Sequence, residues 1–171
     1  MAKYWIIATA VAAVLSFVPW AIYLAGLGKL TQAISNSSVS EALKQTVFML
    51  EWYTVSAQFI NLVLILIACI VRGLQRTHSM FIMFLAVNSA LLIVRATSRI
   101  VDINLIDEDP ENAALYLDVP NVRGDPLKYL RAEACGQVAS ATMNFLLAIL
   151  VGLAGTAQAE SAEYNGAKNV A

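Results

Sequence analysis

Four long runs of apolar residues alternate with shorter polar stretches along the chain. The runs cover residues 4–28, 52–71, 79–94 and 134–159, and none of them contains a charged residue. A helix needs about 20 apolar residues to cross the hydrocarbon layer of a membrane. Three runs meet this length outright, and the run at 79–94 meets it if its helix continues through Arg95 and Arg99 to Asp102. The pattern predicts an all-α integral membrane protein built as a four-helix bundle.

The spacing of these runs predicts one membrane domain over residues 1–160. We expect its spans at about residues 4–27, 47–71, 79–102 and 133–157. Residues 161–171, with the sequence SAEYNGAKNVA, are expected to form a flexible C-terminal tail. The first run is longer than a secretory signal and carries Pro19 and Trp20 where a cleavage site would have small residues, so we expect it to be retained.

Aromatic residues lie toward both ends of the first run. They are Tyr4 and Trp5 at one end and Trp20 and Tyr23 toward the other. Rings of this kind are enriched where a membrane helix meets the headgroup layer, so the pattern indicates an interfacial belt. Packing against neighbouring helices is the alternative for each ring.

Composition excludes several classes of function. Hydrophobic residues make up 59% and charged residues 13% of the chain, whereas soluble domains carry about 25% charged residues. The net charge of −1 gives no basic face for nucleic acid. The chain has a single histidine, His78, and two cysteines, Cys69 and Cys135, so no metal-ligand spacing or catalytic triad emerges. We therefore expect no enzymatic activity, no cofactor and no metal.

Two loop features predict the orientation in the membrane. The short loop RGLQRTHS is basic, and basic short loops stay in the cytoplasm, which places both termini on the cytoplasmic side. Asn36-Ser37-Ser38 is a glycosylation sequon in the first loop, which this orientation places outside. We expect a multi-pass protein of the plasma membrane or an endomembrane.

A group of charged residues marks the outer part of the bundle. Asn88, Arg95, Arg99 and Asp102 follow one another at +7, +4 and +3, which places them on one helical stripe. In an antiparallel bundle Glu51 reaches the depth of Arg99, and Glu133 lies at the outer entry of the last span. These positions predict an intramembrane cluster of two arginines and three carboxylates, namely Glu51, Arg95, Arg99, Asp102 and Glu133.

Two interpretations of this cluster remain open. Buried charges in a membrane are costly, so a paired network that locks three helices together explains the residues by structure alone. The functional interpretation is an ion or proton path, or a site for a lipid headgroup on the two arginines. The facing residues nearer the cytoplasm, Phe81, Phe84 and Leu85, continue no polar path, which favours the structural interpretation.

The last span carries a stripe of small and polar residues at four-residue spacing. Its members are Gly136, Ser140, Asn144, Ala148 and Gly152. Small residues let helix backbones approach closely, and polar ones form hydrogen bonds where lipid offers no partner. The stripe predicts either packing within one bundle, against Ala8, Ala12 and Ser16, or a subunit interface. Asn61 and Gln58 are predicted to join helices, and Leu147 is expected to face lipid.

The four spans, the short cytoplasmic turn and the segment EACGQVASATMNFLLAIL together resemble MARVEL-type tetraspan proteins and the related Casparian-strip membrane protein family. That resemblance implies a membrane-organising protein that self-associates and has no enzymatic activity. The stretch LLIVRATSRIVD, with Glu133 at the start of the next span, is similar to part of the fungal lipid-translocating exporter family.

The sequence thus predicts a membrane-organising or scaffolding tetraspan protein that acts through helix packing. Its expected partners are the lipid bilayer and either further copies of the chain or a larger membrane complex. One alternative is a transporter or channel subunit for an ion, small solute or lipid that uses Arg95, Arg99 and Asp102. Another is an accessory subunit of a larger complex.

Overall fold

The computed structural model describes the backbone of residues 2–35, 41–108 and 125–168, and the side chains of residues 2–32, 49–108 and 127–162. Within the described ranges the chain is helical and forms no strand. The helices are α1 (Ala2–Leu15), α2 (Phe17–Ser35), α3 (Glu41–Val71), α4 (Leu74–Glu108) and α5 (Asp125–Lys168).

Helices α1 and α2 together form the first span, which is interrupted at Ser16. Pro19 has no amide hydrogen, so the carbonyl of Leu15 loses the donor it would have in an unbroken helix. The amides of Ser16 and Trp20 still donate to Ala12 and Ser16, over 3.0 and 3.3 Å, and carry the chain through the interruption. The Ser16 hydroxyl also donates to the Ala12 carbonyl over 2.8 Å.

Among the described residues, four helical segments are long and apolar enough to cross a membrane. They are Ala2–Gln32, Met49–Val71, Leu74–Glu108 and Leu127–Ala162. Their outer faces are apolar too: Val14, Ile60, Val94 and Ile149 are each more than half exposed. Large apolar side chains at such exposure suit contact with lipid rather than water. The predicted all-α class and the four membrane-length helices of a multi-pass protein are confirmed.

The spans pack as a square. α5 contacts the first span and α4 along its length, and α3 contacts the same two neighbours from the opposite corner. Consecutive spans are therefore adjacent, as short connections favour. α3 and α5 face each other across the centre, where only side chains bridge them.

A tight turn joins α3 to α4. Arg72 has a φ of 56°, in the left-handed region that usually takes glycine, and Gly73 donates its amide to the Ala68 carbonyl over 2.9 Å. This is the Schellman pattern that closes a helix C-terminus. We call this end of the bundle the turn end; Gln75 also bonds Gln158 here, and Lys3 lies beside Arg72.

The two halves of the bundle have different interiors. At the turn end the core is apolar and joins all four spans through residues such as Ala13, Leu62, Leu85 and Leu147. We call the opposite end, where Leu30, Ile106 and Leu130 pack together, the loop end. Between that small cluster and the middle of the bundle, buried polar side chains lie beside a second apolar cluster, which consists of Tyr23, Leu27, Val55, Leu92 and Ala141.

Candidate functional site: a buried polar network

Polar side chains line the interior of the loop-end half on the inner faces of the helices. α3 contributes Glu51, Thr54, Gln58 and Asn61, and α5 contributes Glu133, Gln137, Ser140 and Asn144. Each is less than a tenth exposed. Residues three and four apart share one helical face, so each set forms a continuous polar stripe. Arg95 and Arg99 of α4 lie between the two stripes.

Glu51 is the centre of the network, and both of its oxygens are satisfied. Arg95 places Nε and Nη2 each 2.6 Å from Oε1, and Arg99 Nη2 lies 3.2 Å from the same atom. The Tyr23 hydroxyl and Gln137 Nε2 donate to Oε2 over 2.6 and 2.9 Å. Donors thus reach this one carboxylate from all three other spans.

Glu133 is only half satisfied, although it is equally buried. Its Oε1 accepts from Arg99 Nε over 3.1 Å and from Gln137 Nε2 over 3.3 Å. Its Oε2 has no hydrogen-bond partner among the described residues, and the same holds for Gln137 Oε1 and the Ser140 hydroxyl. Buried polar atoms of this kind are normally paired with protein or ordered water. The α5 stripe therefore presents unused hydrogen-bonding capacity beside a saturated centre.

Charges in the deeply buried part of the network balance. Arg95 and Arg99 face Glu51 and Glu133, so the four side chains carry two positive and two negative charges. Asp102 lies at the rim, with its side chain 26% exposed, and accepts from Arg99 Nη1 over 3.4 Å. Balanced, hydrogen-bonded charges offset the desolvation that an isolated charge in the membrane would suffer.

The structure brings together all five residues of the predicted cluster. Tyr23 and Gln137 belong to the same network but were absent from the prediction. Of the two interpretations of Tyr23, packing against neighbouring helices holds and the interfacial belt does not, because its side chain is fully buried and bonded to Glu51. Gln137 could have been found, since it follows Glu133 by one helical turn on the polar stripe.

A second group of polar side chains lies near the middle of the bundle. Gln58 and Asn144 exchange two amide hydrogen bonds, of 2.7 and 2.9 Å, across the centre from α3 to α5. Asn88 of α4 also donates to Gln58 Oε1, while its own Oδ1 has no partner among the described residues. These amides join three spans near the middle of the bundle.

The small-residue stripe of α5 faces the interior of the chain. A Cβ added at Gly136 would lie 2.6 Å from the amide nitrogen of Tyr23, so α5 and α2 touch backbone to backbone there. Ser140 and Asn144 are fully buried, and Gly152 faces Ile82 of α4. Helices α2 and α4 of the same chain therefore pack against this stripe.

Two further glycines allow close contact between α5 and its neighbours, and one residue of α5 was predicted on the wrong face. Gly26 of α2 lies against the backbone of Glu133, and Gly155 lies against the His78 ring. Neither glycine was part of the predicted stripe. The expectation that Leu147 faces lipid is wrong: it is fully buried, because it follows Asn144 by three residues and shares that inward face.

The remaining sequence predictions concern other parts of the chain. Asn36, the glycosylation candidate, lies outside the described residues. Among the residues that the structure describes, no group of histidine, cysteine or acidic side chains could hold a metal ion. Cys69 is buried and Cys135 exposed, and both are free thiols.

Comparisons with known proteins found no family model, no curated protein and no solved structure that matches the chain.

Proposed function

We propose that the chain is a non-enzymatic, membrane-organising tetraspan protein that acts as a rigid unit and associates with itself or with a larger membrane complex. The observation that carries this proposal is the saturation of Glu51 by donors from every other span. A carboxylate held in this way cannot shift without breaking several charged hydrogen bonds in a medium of low dielectric. Such a centre favours a bundle that keeps one conformation over one that alternates between two.

The apolar turn-end half supports the same proposal. Phe81 and Leu85 of α4 and Leu147 of α5 pack into the core there, and each is nearly or fully buried. Charged and amide side chains in the described interior thus extend from the loop end to the midplane. Beyond it the buried polar residues of the first span, Thr9 and Ser16, bond only carbonyls of their own helix. The resemblance to MARVEL-type proteins supports a membrane-organising role as well.

The size of the protein in its native membrane tests this function. We expect particles in native nanodiscs to exceed the 18.5 kDa of one chain, either as whole multiples or as a larger complex. Native mass spectrometry measures this directly. A single chain in every preparation would contradict the proposal.

We further propose that the turn end faces the cytoplasm, together with both termini. Arg72 and Arg76 lie at the turn end with Lys3, and short basic segments resist translocation. Cysteines introduced at Gln75 and Ser37 should react with an impermeant maleimide from opposite sides of sealed vesicles. Reaction of both from one side would contradict this orientation.

The second candidate is a subunit that moves protons or small cations, and the unpaired oxygen of Glu133 favours it. An acceptor that is left open beside Gln137 and Ser140 suits a proton or a cation more than it suits an anion. Purified protein in liposomes with a fluorescent pH indicator tests this candidate. It predicts a flux that Glu133→Gln abolishes without changing the fold.

A further inference from the structure

A pocket lies at the turn end of the bundle, where α1, the turn between α3 and α4, and α5 meet. Its volume is about 330 Å³. Lys3 of α1 and Arg72 of the turn line it together with Gln75, Gln158 and Ser161. No acidic side chain among the described residues lines it. The pocket therefore combines polar walls with two positive charges.

Both cations of the pocket are available to a ligand. The side chains of Lys3 and Arg72 are exposed, and neither makes an ion pair or a hydrogen bond with a described residue. The described arginines of the loop end, by contrast, all have carboxylate partners. Gln158 accepts from the Gln75 amide over 3.0 Å, so its own Nε2 remains a further donor at the pocket wall. Donors without an acid among them suit an anion.

The pocket lies at the level of the lipid headgroups. Lys3 is the second residue of the first span, Arg72 comes directly after the second span, and Ser161 is the second-last residue of the fourth. Ile6 also lines the pocket, about 4.5 Å deeper along α1. Lipid phosphates lie at this boundary, and their acyl chains lie on its apolar side. The positions of the polar and apolar walls thus match the two parts of a lipid.

We propose that this pocket binds the phosphate of an anionic membrane lipid. Phosphate oxygens accept charge-assisted hydrogen bonds from the ammonium group of Lys3 and from the guanidinium of Arg72, whose parallel donors fit two of them at once. A zwitterionic lipid would bring its own ammonium group beside these two cations, so a net negative headgroup is favoured. The apolar wall at Ile6 favours a phosphate that carries acyl chains over a free one.

This site does not depend on the proposed self-association, because one chain supplies all of its residues. It agrees with the proposed orientation, since the cytoplasmic leaflet is the one that carries anionic lipids. Positive charge in a short loop also has a simpler consequence, which is the retention of that loop in the cytoplasm. Retention does not require that Arg72 share a pocket with Lys3 of another helix. The experiment therefore has to distinguish a pocket from a basic surface.

Native mass spectrometry of the full chain in detergent, titrated with phosphatidylglycerol, measures the dissociation constant of the lipid. We expect Lys3→Gln and Arg72→Gln each to raise this constant on the order of tenfold, because each removes charged hydrogen bonds to the phosphate. Phosphatidylcholine with the same acyl chains should bind the unmodified chain no better than phosphatidylglycerol binds the double variant.

Arg76→Gln is the matched control. Arg76 is exposed in the same short basic segment, but it does not line the pocket. Its loss should change the dissociation constant by about twofold or less, because it acts on the phosphate only through screened attraction. All three variants should keep the thermal midpoint of the unmodified chain in phosphatidylcholine nanodiscs, since the substituted side chains are exposed. If one pocket variant fails to fold, the other carries the same prediction.

Inorganic phosphate and phosphatidylglycerol distinguish the two sources of the anion. At equal phosphate concentration only the lipid should raise the thermal midpoint, because a ligand that binds the folded form stabilises it. An equal rise with inorganic phosphate would mean a soluble ligand and would overturn the lipid. Equal losses of affinity in Arg76→Gln and the pocket variants would mean a basic surface without a pocket. Unchanged affinity in both pocket variants, or no preference for phosphatidylglycerol over phosphatidylcholine, would overturn the site and leave the proposed function standing.

Discussion

The two halves of this bundle are held together by different interactions, charged hydrogen bonds at the loop end and apolar packing at the turn end. At the loop end, Glu51, Arg95, Arg99 and Glu133 form specific charged pairs whose partners cannot be exchanged. At the turn end, buried aliphatic residues such as Leu62 and Leu147 pack without polar partners. In a membrane, burial of apolar groups gives little driving force between helices, because lipid is as apolar as the core. The charged half is therefore expected to provide specificity, and the apolar half to contribute van der Waals packing without it.

The largest effect should follow from removal of the central carboxylate. Glu51→Gln leaves Arg95 and Arg99 without their common partner, and an unpaired buried charge typically costs about 3 to 5 kcal/mol. We expect a comparable fall in the free energy of unfolding, measured by SDS titration in mixed micelles. The double variant Glu51→Gln/Arg99→Gln should recover part of the loss, with a coupling energy of about 0.5 to 3 kcal/mol.

An exposed ion pair provides the control for this experiment. Arg131 Nη2 lies 2.7 Å from Asp107 Oδ2, and both side chains are about half exposed. Arg131→Gln should cost no more than about 1 kcal/mol, because water replaces the lost partner. If Glu51→Gln cost no more than Arg131→Gln, the charged network would not be what holds the loop end together.

A smaller effect is expected where α5 meets α2. The Cβ in Gly136→Ala would lie within 2.6 to 2.9 Å of backbone and Cβ atoms of Tyr23, so the two helices must separate. Overpacking of this kind typically costs about 1 to 3 kcal/mol. The thermal midpoint in detergent measures the loss. It should also weaken the Tyr23–Glu51 bond, which depends on the same approach.

Gly28→Ala is the matched control for Gly136→Ala. No atom lies within 4 Å of the added Cβ at Gly28, and alanine is the better helix former. The midpoint should therefore stay the same or rise. A similar fall in both variants would show that helix propensity, and not the contact between α2 and α5, determines the result.

The smallest effect should come from a matched change in the apolar half. Leu147→Met conserves volume in a core without polar partners and should cost less than about 1.5 kcal/mol. Gln58→Met has a similar shape but removes the amide that Asn144 and Asn88 use, so its loss should be larger. Unfolding in SDS measures both. Equal losses would mean that the midplane amides contribute nothing beyond packing.

Much of the fold follows from the order of residues alone. A run of about 20 apolar residues has few alternatives to a membrane helix, because lipid leaves backbone groups no other partner. The same restriction let the charged stripe of α4 be recognised from its spacing. Glu51 could be assigned to Arg99 because short connections make the spans antiparallel and thereby match the depths of residues far apart in the chain.

What the sequence could not determine is which side of each helix meets which neighbour. Helical spacing groups residues on a face but does not orient that face, so Leu147 was assigned to the lipid side and is buried, and for Tyr23 the headgroup layer and helix packing could not be told apart. The contrast between saturated Glu51 and half-satisfied Glu133 also arises only in three dimensions, since it depends on where Tyr23 and Gln137 direct their donors. Both carboxylates have the same chemistry in the sequence, and only the packing of α2 against α3 and α5 makes them different.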